Sequence, residues 1–369
     1  MVDIIAARAQ IGKFFYEYGF HEILSSVPQN RLAEIIFGLA MKGNQSKTTD
    51  FAELNQRVRT TYGHFLSKGK WDEKKVSQKQ QEGAFHKLAK LALERQTPLY
   101  LSIDDTVIEK KKPSSRAKRP MEGTGWHYSH LEGKQVFGYQ VFGANINVDD
   151  VSLCYCLRRC CSENGSKIDM AVQLLDTLPE TDARVILQMD SWYTCKALWD
   201  KALEKHITLI GAMKTNRILY PDGHRRSAQD YAAMLPNGQY HLATVGGHEY
   251  WIHRYEGALN GIDKAVVLLS YPKNAFGNHH ALRVFICSDL TLSDEEILAH
   301  YTHRWNIEVM FKQQKMYMGL KTFMLRSAKA IDRLFIILPL THFFFAVLYD
   351  TLLPLSAAIR CFRTALCMF

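Results

Sequence analysis

A chain of 369 residues with 47% hydrophobic and 22% charged residues can bury a large core, which excludes general disorder and points to two or three domains. Its 46 basic and 37 acidic residues leave a formal charge of +9, the balance expected beside a polyanion, although charge alone specifies no partner. Met1 to Gln10 carries charges and no long apolar run, so no secretory leader is visible.

Residues 1–97 read as all-helical. Arg31 to Met41 spaces Leu32, Ile35, Ile36 and Leu39 helically, Thr49 to Gly69 repeats the pattern, and Gln80 to Arg95 adds Phe85, Leu88, Leu91 and Leu93. From residue 98 the period becomes two: Leu99, Leu101 and Ile103 alternate in a strand over 98–104, followed by Asp104-Asp105-Thr106. A mobile basic loop over 110–119 then gathers Lys110, Lys111, Lys112, Arg116, Lys118 and Arg119 around Pro113, able to neutralise phosphates. Strands at 136–148 and 151–158, a helix at 167–178, a strand at 184–189 ending on Asp190, a helix at 194–205 and a strand at 206–213 succeed it. Residues 215–283 read as β-rich, with Gln239 to Tyr255 forming a hairpin about Gly246-Gly247 and further strands at 265–271 and 281–288. One helix is expected over 294–318, from the capping box Ser293-Asp-Glu-Glu296 to a stop at Gly319. Leu334 to Tyr349 is apolar but short of the ~20 residues of a membrane span, and it contains Pro339 and His342, so it reads as a buried helix. The end, Cys361 to Phe369, has no helix stop signal, consistent with a shortened chain.

The helix at 294–318 concentrates chemistry. At about 100° per residue, Tyr301, Arg304, Glu308 and Lys315 share an arc of about 60°. Leu298, Trp305, Val309 and Met316 form an adjoining apolar stripe that could anchor the helix. One carboxylate between two cations and a phenol can hold a metal ion and a phosphate backbone together. Asp105 and Asp190 supply two more carboxylates. Either alone is usually a turn former or a helix cap, but strand-Asp, strand-Asp, helix-Glu in that order forms a set. Phosphodiester chemistry is well served by two divalent ions roughly 3.5–4 Å apart. Mg²⁺ takes hard oxygen ligands, so two or three carboxylates and a substrate phosphate suffice.

The spacing Y-x2-R-x3-E-x6-K, with the two upstream aspartates, resembles the YREK signature of bacterial insertion-sequence transposases of the DDE superfamily, and the resemblance covers about residues 65–350. It implies an α/β protein: an RNase H-like catalytic domain over 98–330 with a β-rich insertion at about 215–283, preceded by an all-helical domain over 1–97 that binds DNA ends, and followed by a C-terminal helical segment over 331–369. It implies that Asp105, Asp190 and Glu308 are catalytic and bind two Mg²⁺ ions, with Mn²⁺ able to substitute. Asp104 and Asp105 point to opposite faces of one strand, so only one serves, and the family's frequent acid-Asp-Thr favours Asp105. Tyr301, Arg304 and Lys315 would meet phosphates, as could Lys214 and Arg217, and Trp251 in the insertion would stabilise a flipped base. The implied activity is metal-dependent cleavage at transposon ends and strand transfer into target DNA, of the cut-and-paste kind through a hairpin. The partners are double-stranded DNA, as ends and target, and a second copy in a synaptic homodimer. The expected location is the cytoplasm, on the nucleoid, with no membrane partner. Two other readings stand beside it: an RNase H-like nuclease without strand transfer, and an inactive or regulatory derivative that binds ends without cutting.

Eight cysteines complete the inventory. Cys154, Cys156, Cys160 and Cys161 cluster without metal-finger spacing, so buried thiols of a reducing compartment are expected, not structural zinc.

Overall fold

The computed structural model describes residues 4–116, 120–129, 132–351 and 353–367. Helices α1 (Ile4–Glu17), α2 (Phe20–Ile23), α3 (Ser26–Lys42), α4 (Thr48–Leu54), α5 (Thr61–Lys68) and α6 (Glu73–Arg95) come first. Strands β1 (Leu99–Glu109), β2 (Gly125–Ser129), β3 (Lys134–Val148) and β4 (Val151–Arg159) follow, then α7 (Lys167–Asp176), β5 (Val185–Met189), α8 (Lys196–Glu204) and β6 (Thr208–Met213). Next are β7 (Ile218–Leu219), β8 (Arg226–Ser227), α9 (Ala228–Met234), β9 (His241–Val245), β10 (His248–Leu259), β11 (Ile262–Pro272) and β12 (Arg283–Cys287). Helices α10 (Asp294–Thr302), α11 (Trp305–Tyr317), α12 (Ala328–Leu348) and α13 (Leu355–Cys367) close the chain.

These elements form two compact bodies, each assembled from stretches distant in sequence. The first comprises residues 1–91, 105–166 and 307–369. In it β3 lies between β2 and the second half of β1, β4 pairs with β3 antiparallel, and α12 runs through the core. Phe14, Phe343, Phe344 and Phe362 interlock edge to face where α1, α12 and α13 meet. An 18-residue window of α12 is apolar enough to cross a membrane by composition, but 78% of it is buried within the protein, which is the behaviour of a core helix. His342 on α12 accepts a hydrogen bond from the backbone N–H of Cys154, and burial pushes its imidazole down to about 4. The thiols of Cys154 and Cys156 are buried and pushed upward by that burial, as the cysteine pattern predicts.

The second body comprises residues 92–104 and 167–306. Its sheet runs β1, β5, β6, β12, β11, β10, β7, β8, with β9 on β10. The first three strands are parallel, and β6, β12, β11 and β10 pair antiparallel. The β-rich stretch expected at 215–283 is present, and its hairpin turns at Gly246 and Gly247, both at positive φ (58° and 80°), which a two-residue hairpin loop of this kind requires. Strands β11 and β12 extend the same sheet that carries β5 and β6.

Two expectations give way. The first strand runs to Glu109, not 104, because Thr106, Val107 and Ile108 continue the β-branched pattern and the second half has β3 as its neighbour. The helix expected over 294–318 is two helices. The capping box forms, with Ser293 Oγ accepting from the Glu296 N–H, and the end falls at Gly319 with φ 75°. Between them the chain turns at His303 and Arg304, whose N–H groups donate three residues back, to His300 and Tyr301. The His300 carbonyl also accepts from the Gln188 side chain, and the His303 ring stacks on Tyr100 at 4.1 Å. Contacts with the sheet therefore end α10 where its own sequence would continue.

Arg333 on α12 is 1% exposed, donates to the carbonyls of Phe65, Leu66 and Trp71, and pairs with Glu73 at 2.9 Å. Arg333→Ala is expected to destabilise the first body by on the order of 3 kcal/mol, because the carbonyls and the carboxylate lose their partner; denaturant unfolding followed by circular dichroism measures it.

Candidate active site

Strand β5 decides where Asp190 sits. Its register with β1 pairs Ser102 with Gln188 and Ile103 with Met189, and Asp104 and Asp190 are the residues that follow this last pair. Ser102 Oγ donates to Gln188 Oε1 at 2.9 Å, which fixes the even-numbered residues of both strands on one face. Helix α10 covers it: Tyr100 bonds His300 Nδ1 at 2.8 Å, and Ile297 and Leu298 pack with Tyr100, Ile186 and Ile210.

Asp190 lies just beyond β5, and its Oδ1 accepts the N–H groups of Trp192 (2.9 Å) and Tyr193 (3.2 Å). Thr194 holds this turn, donating to the Ala212 carbonyl at 2.6 Å with the Asp190 carbonyl at 3.1 Å. Arg304 pairs with Asp104 at 3.3 Å. Burial pushes the Tyr301 phenol up to about 12; Arg304 opposes the rise, and the carboxylates of Asp190 and Asp104 add to it. Tyr301 thus stays protonated, a donor beside two acids.

In the first body α11 packs on the opposite end of β1. Lys315 Nζ donates to Thr106 Oγ1 at 2.7 Å, and Gly143 of β3 lies so close to the Phe311 ring that an added Cβ would come within 2.6 Å of it. Burial holds the Lys315 ammonium below its ordinary value, and Lys321 adds to the effect. The buried face of α11 is Ile307, Met310, Phe311 and Gln314, with Glu308 half-buried. Of the apolar stripe expected of Leu298, Trp305, Val309 and Met316, Leu298 anchors α10 in the core, whereas Trp305 is 63% and Met316 46% exposed on α11, beyond the turn at 303–304.

Asp105, the expected first ligand, faces the other way. It accepts from Gln140 Nε2 at 2.6 Å, and its charge acts on His127, whose imidazole burial lowers. Gln140 stands on the face of β3 opposite Gly143, and so opposite α11. Strand alternation puts Asp104 and Asp105 on opposite faces of β1, Asp105 on the side of Gln140. Among the described residues no group of three or more His, Cys, Asp or Glu is gathered closely enough to hold a metal ion.

Beside Asp190 an open groove of about 810 Å³ is lined by Ser191, Lys214, Tyr250, Arg283, Phe285 and Tyr301, among others. Lys214 lines this groove. Trp251 does not: it alternates with Tyr250 along β10, turns to the other face and packs on Phe276 at 5.3 Å. Sequence reasoning missed Tyr250 and Arg283, which the period of their strands would have indicated. In the basic loop, Lys110 is held by partners, with its ammonium 3.6 Å from the centre of the Phe323 ring and donating to the carbonyls of Lys321 and Phe323, and burial brings it down to about 8. Lys118 and Arg119 lie outside the described residues.

Residues 95–344, more than half of the chain, match the family model of a transposase DDE domain. The chain belongs to this family. No curated protein matches it. Among solved structures, a piggyBac transposase synaptic complex with hairpin DNA is similar at 11% identity and a TM-score of 0.48, over 98% of this chain and 77% of that one. For this DDE domain the acids available to bind a divalent ion are all hard oxygen donors.

Thr194→Val tests how the Asp190 turn is held. Loss of the hydroxyl is expected to lower stability by about 1 kcal/mol and to speed hydrogen exchange at the Trp192 and Tyr193 amides, with the rest of β5 and β6 unaffected.

Proposed function

We propose that this DDE-domain protein is a cut-and-paste DNA transposase, with an RNase H-like catalytic portion and the YREK pattern of bacterial insertion sequences. The observation that carries the reading is that the carboxylates of Asp104, on β1, and Asp190, just past β5, both act on the Tyr301 phenol, with Arg304 paired to Asp104. Asp190, Glu308 and one aspartate of β1 would hold two Mg²⁺ ions, for which Mn²⁺ could substitute. When bound, such ions polarise the scissile phosphate and make water a stronger nucleophile. Glu308 enters on the resemblance alone. For β1 the resemblance favours Asp105, but the shared influence of Asp104 and Asp190 on Tyr301 supports Asp104, which we take as the ligand.

The remaining residues bind and orient DNA. Arg304 offers a planar fork that suits phosphate oxygens, and Asp104 sets its direction. Tyr301 donates a hydrogen bond, and Lys315 adds a second cation held by Thr106. Lys214 and Arg283 give the groove a positive rim, and Tyr250 a ring face for an unstacked base in the place expected of Trp251. Residues 1–97 would grip the transposon end, and synapsis of two ends would require a homodimer on double-stranded DNA. A hairpin at the excised end follows from the resemblance.

With end-sequence DNA and Mg²⁺, Glu308→Ala is expected to reduce cutting by at least ~10²-fold, the scale of losing one preorganised charged group, while end binding survives. Equal loss of both would count against the reading, and strand transfer into a supercoiled target separates a transposase from a nuclease. Titration with Mn²⁺ decides the β1 ligand: Asp104→Asn should weaken binding by more than the ~10-fold typical of losing a supporting partner, and Asp105→Asn by less. The reverse order would restore Asp105.

A further inference from the structure

Strand β2 presents two aromatic rings to solvent. Trp126 is 59% and Tyr128 50% exposed, although both rings lose free energy in water and nothing in the sequence patterning requires them there. The two positions are i and i+2 on one face of an edge strand, so their Cα atoms lie roughly 6.8 Å apart, about twice the ~3.4 Å rise of a stacked base. Rings standing parallel at that spacing would admit one base between them. The platform is supported from below: Trp126 pairs across the ladder with Phe137, whose ring meets it edge-on at 5.7 Å, and next along that face Tyr139 packs on Phe323. It is also cationic. Lys112 Nζ lies 5.7 Å from the Trp126 ring centre, and Lys111, Lys112 and Arg116 are all exposed in the segment leading to β2. Face alternation puts Trp126, Phe137, Tyr139 and Gly143 on the side of the sheet that α11 covers.

We infer that the Trp126–Tyr128 edge, with Lys112, is a stacking site for an unpaired base of a DNA strand. The inference rests on DNA being the partner, as proposed above, and adds a contact distinct from the groove beside Asp190. Aromatic rings supply a sequence-tolerant stacking surface, and the lysines track the backbone; an acidic phosphodiester strand with an exposed base satisfies both, whereas an apolar partner would leave the lysines without a counter-charge. An edge strand also invites a second copy of the chain, and the test separates that outcome.

The full chain, as wild type, Trp126→Ala, Trp126→Phe, Tyr128→Ala and Lys112→Ala, is titrated by fluorescence anisotropy with a duplex and with a forked duplex of the same sequence carrying 2-aminopurine at its first unpaired position. The wild type should prefer the fork and quench the 2-aminopurine. Trp126→Ala should weaken fork binding about ten-fold and abolish the quench while leaving duplex binding within about three-fold, and Trp126→Phe should retain most of the preference. Lys112→Ala should weaken both DNAs and shallow the salt dependence. An unchanged fork preference and quench in Trp126→Ala overturns the inference and leaves the DNA reading intact. So does a wild type that binds duplex and fork alike, or a change in sedimentation without a change in DNA binding, which would make the edge a contact between copies. Binding to neither DNA overturns both.

Discussion

The parallel register of β1 and β5 is the constraint on which the candidate site depends, because side chains on a strand alternate faces and a row of a parallel pair is fixed once one pair is fixed. The hydrogen bond from Ser102 to Gln188 identifies that face, and everything of chemical interest in the second body follows from it. Asp104 joins Asp190, Tyr100 meets His300, and α10 has a surface on which to lie. A slip of one residue would exchange Asp104 for Asp105 and send the polar row into the opposite layer.

The same face explains why α10 ends where it does. Tyr100 and Gln188 capture His300 and His303, so the His300 carbonyl accepts from Gln188 and the next turn tightens. Arg304 then belongs to a turn between two helices, from which its guanidinium reaches Asp104. The spacing of Tyr301, Arg304, Glu308 and Lys315, so suggestive on a single helix, is shared among α10, a turn and α11, each with its own anchor: Phe285 for Tyr301, Asp104 for Arg304, Thr106 for Lys315. Across the turn Tyr301 and Arg304 remain neighbours, with the guanidinium 5.9 Å from the ring centre, as their spacing predicts.

Much of the order of elements was legible. Strands β3 to β6, helices α7 and α8, the hairpin at Gly246-Gly247 and the capping box at Ser293 all lie close to where period, propensity and turn chemistry put them. Strand β2 was not, since Gly125 to Ser129 has too short a pattern to announce itself, and its pairing with β3 is what makes it a strand. The full length of β1 was present in Thr106-Val-Ile, but the adjacent acids read as an ending when they are the middle of a strand with partners on both sides. Among candidate residues, Lys214, expected from its place after the strand at 206–213, lines the groove, while Trp251, expected from its place in the β-rich insertion, packs on Phe276 and its neighbour Tyr250 lines the groove.

By itself the sequence determined the local periods, the caps and turns, the distribution of charge, and the set of acids and cations from which a phosphodiester site could be drawn, because these depend on residues a few positions apart. Tertiary structure alone decided which of two adjacent aspartates pairs with Arg304 and which with Gln140, where a long helical pattern breaks, which ring of a neighbouring pair enters a groove, and that Lys110 caps Phe323. Those outcomes are set by partners from distant stretches of chain, whose pairing no local pattern encodes.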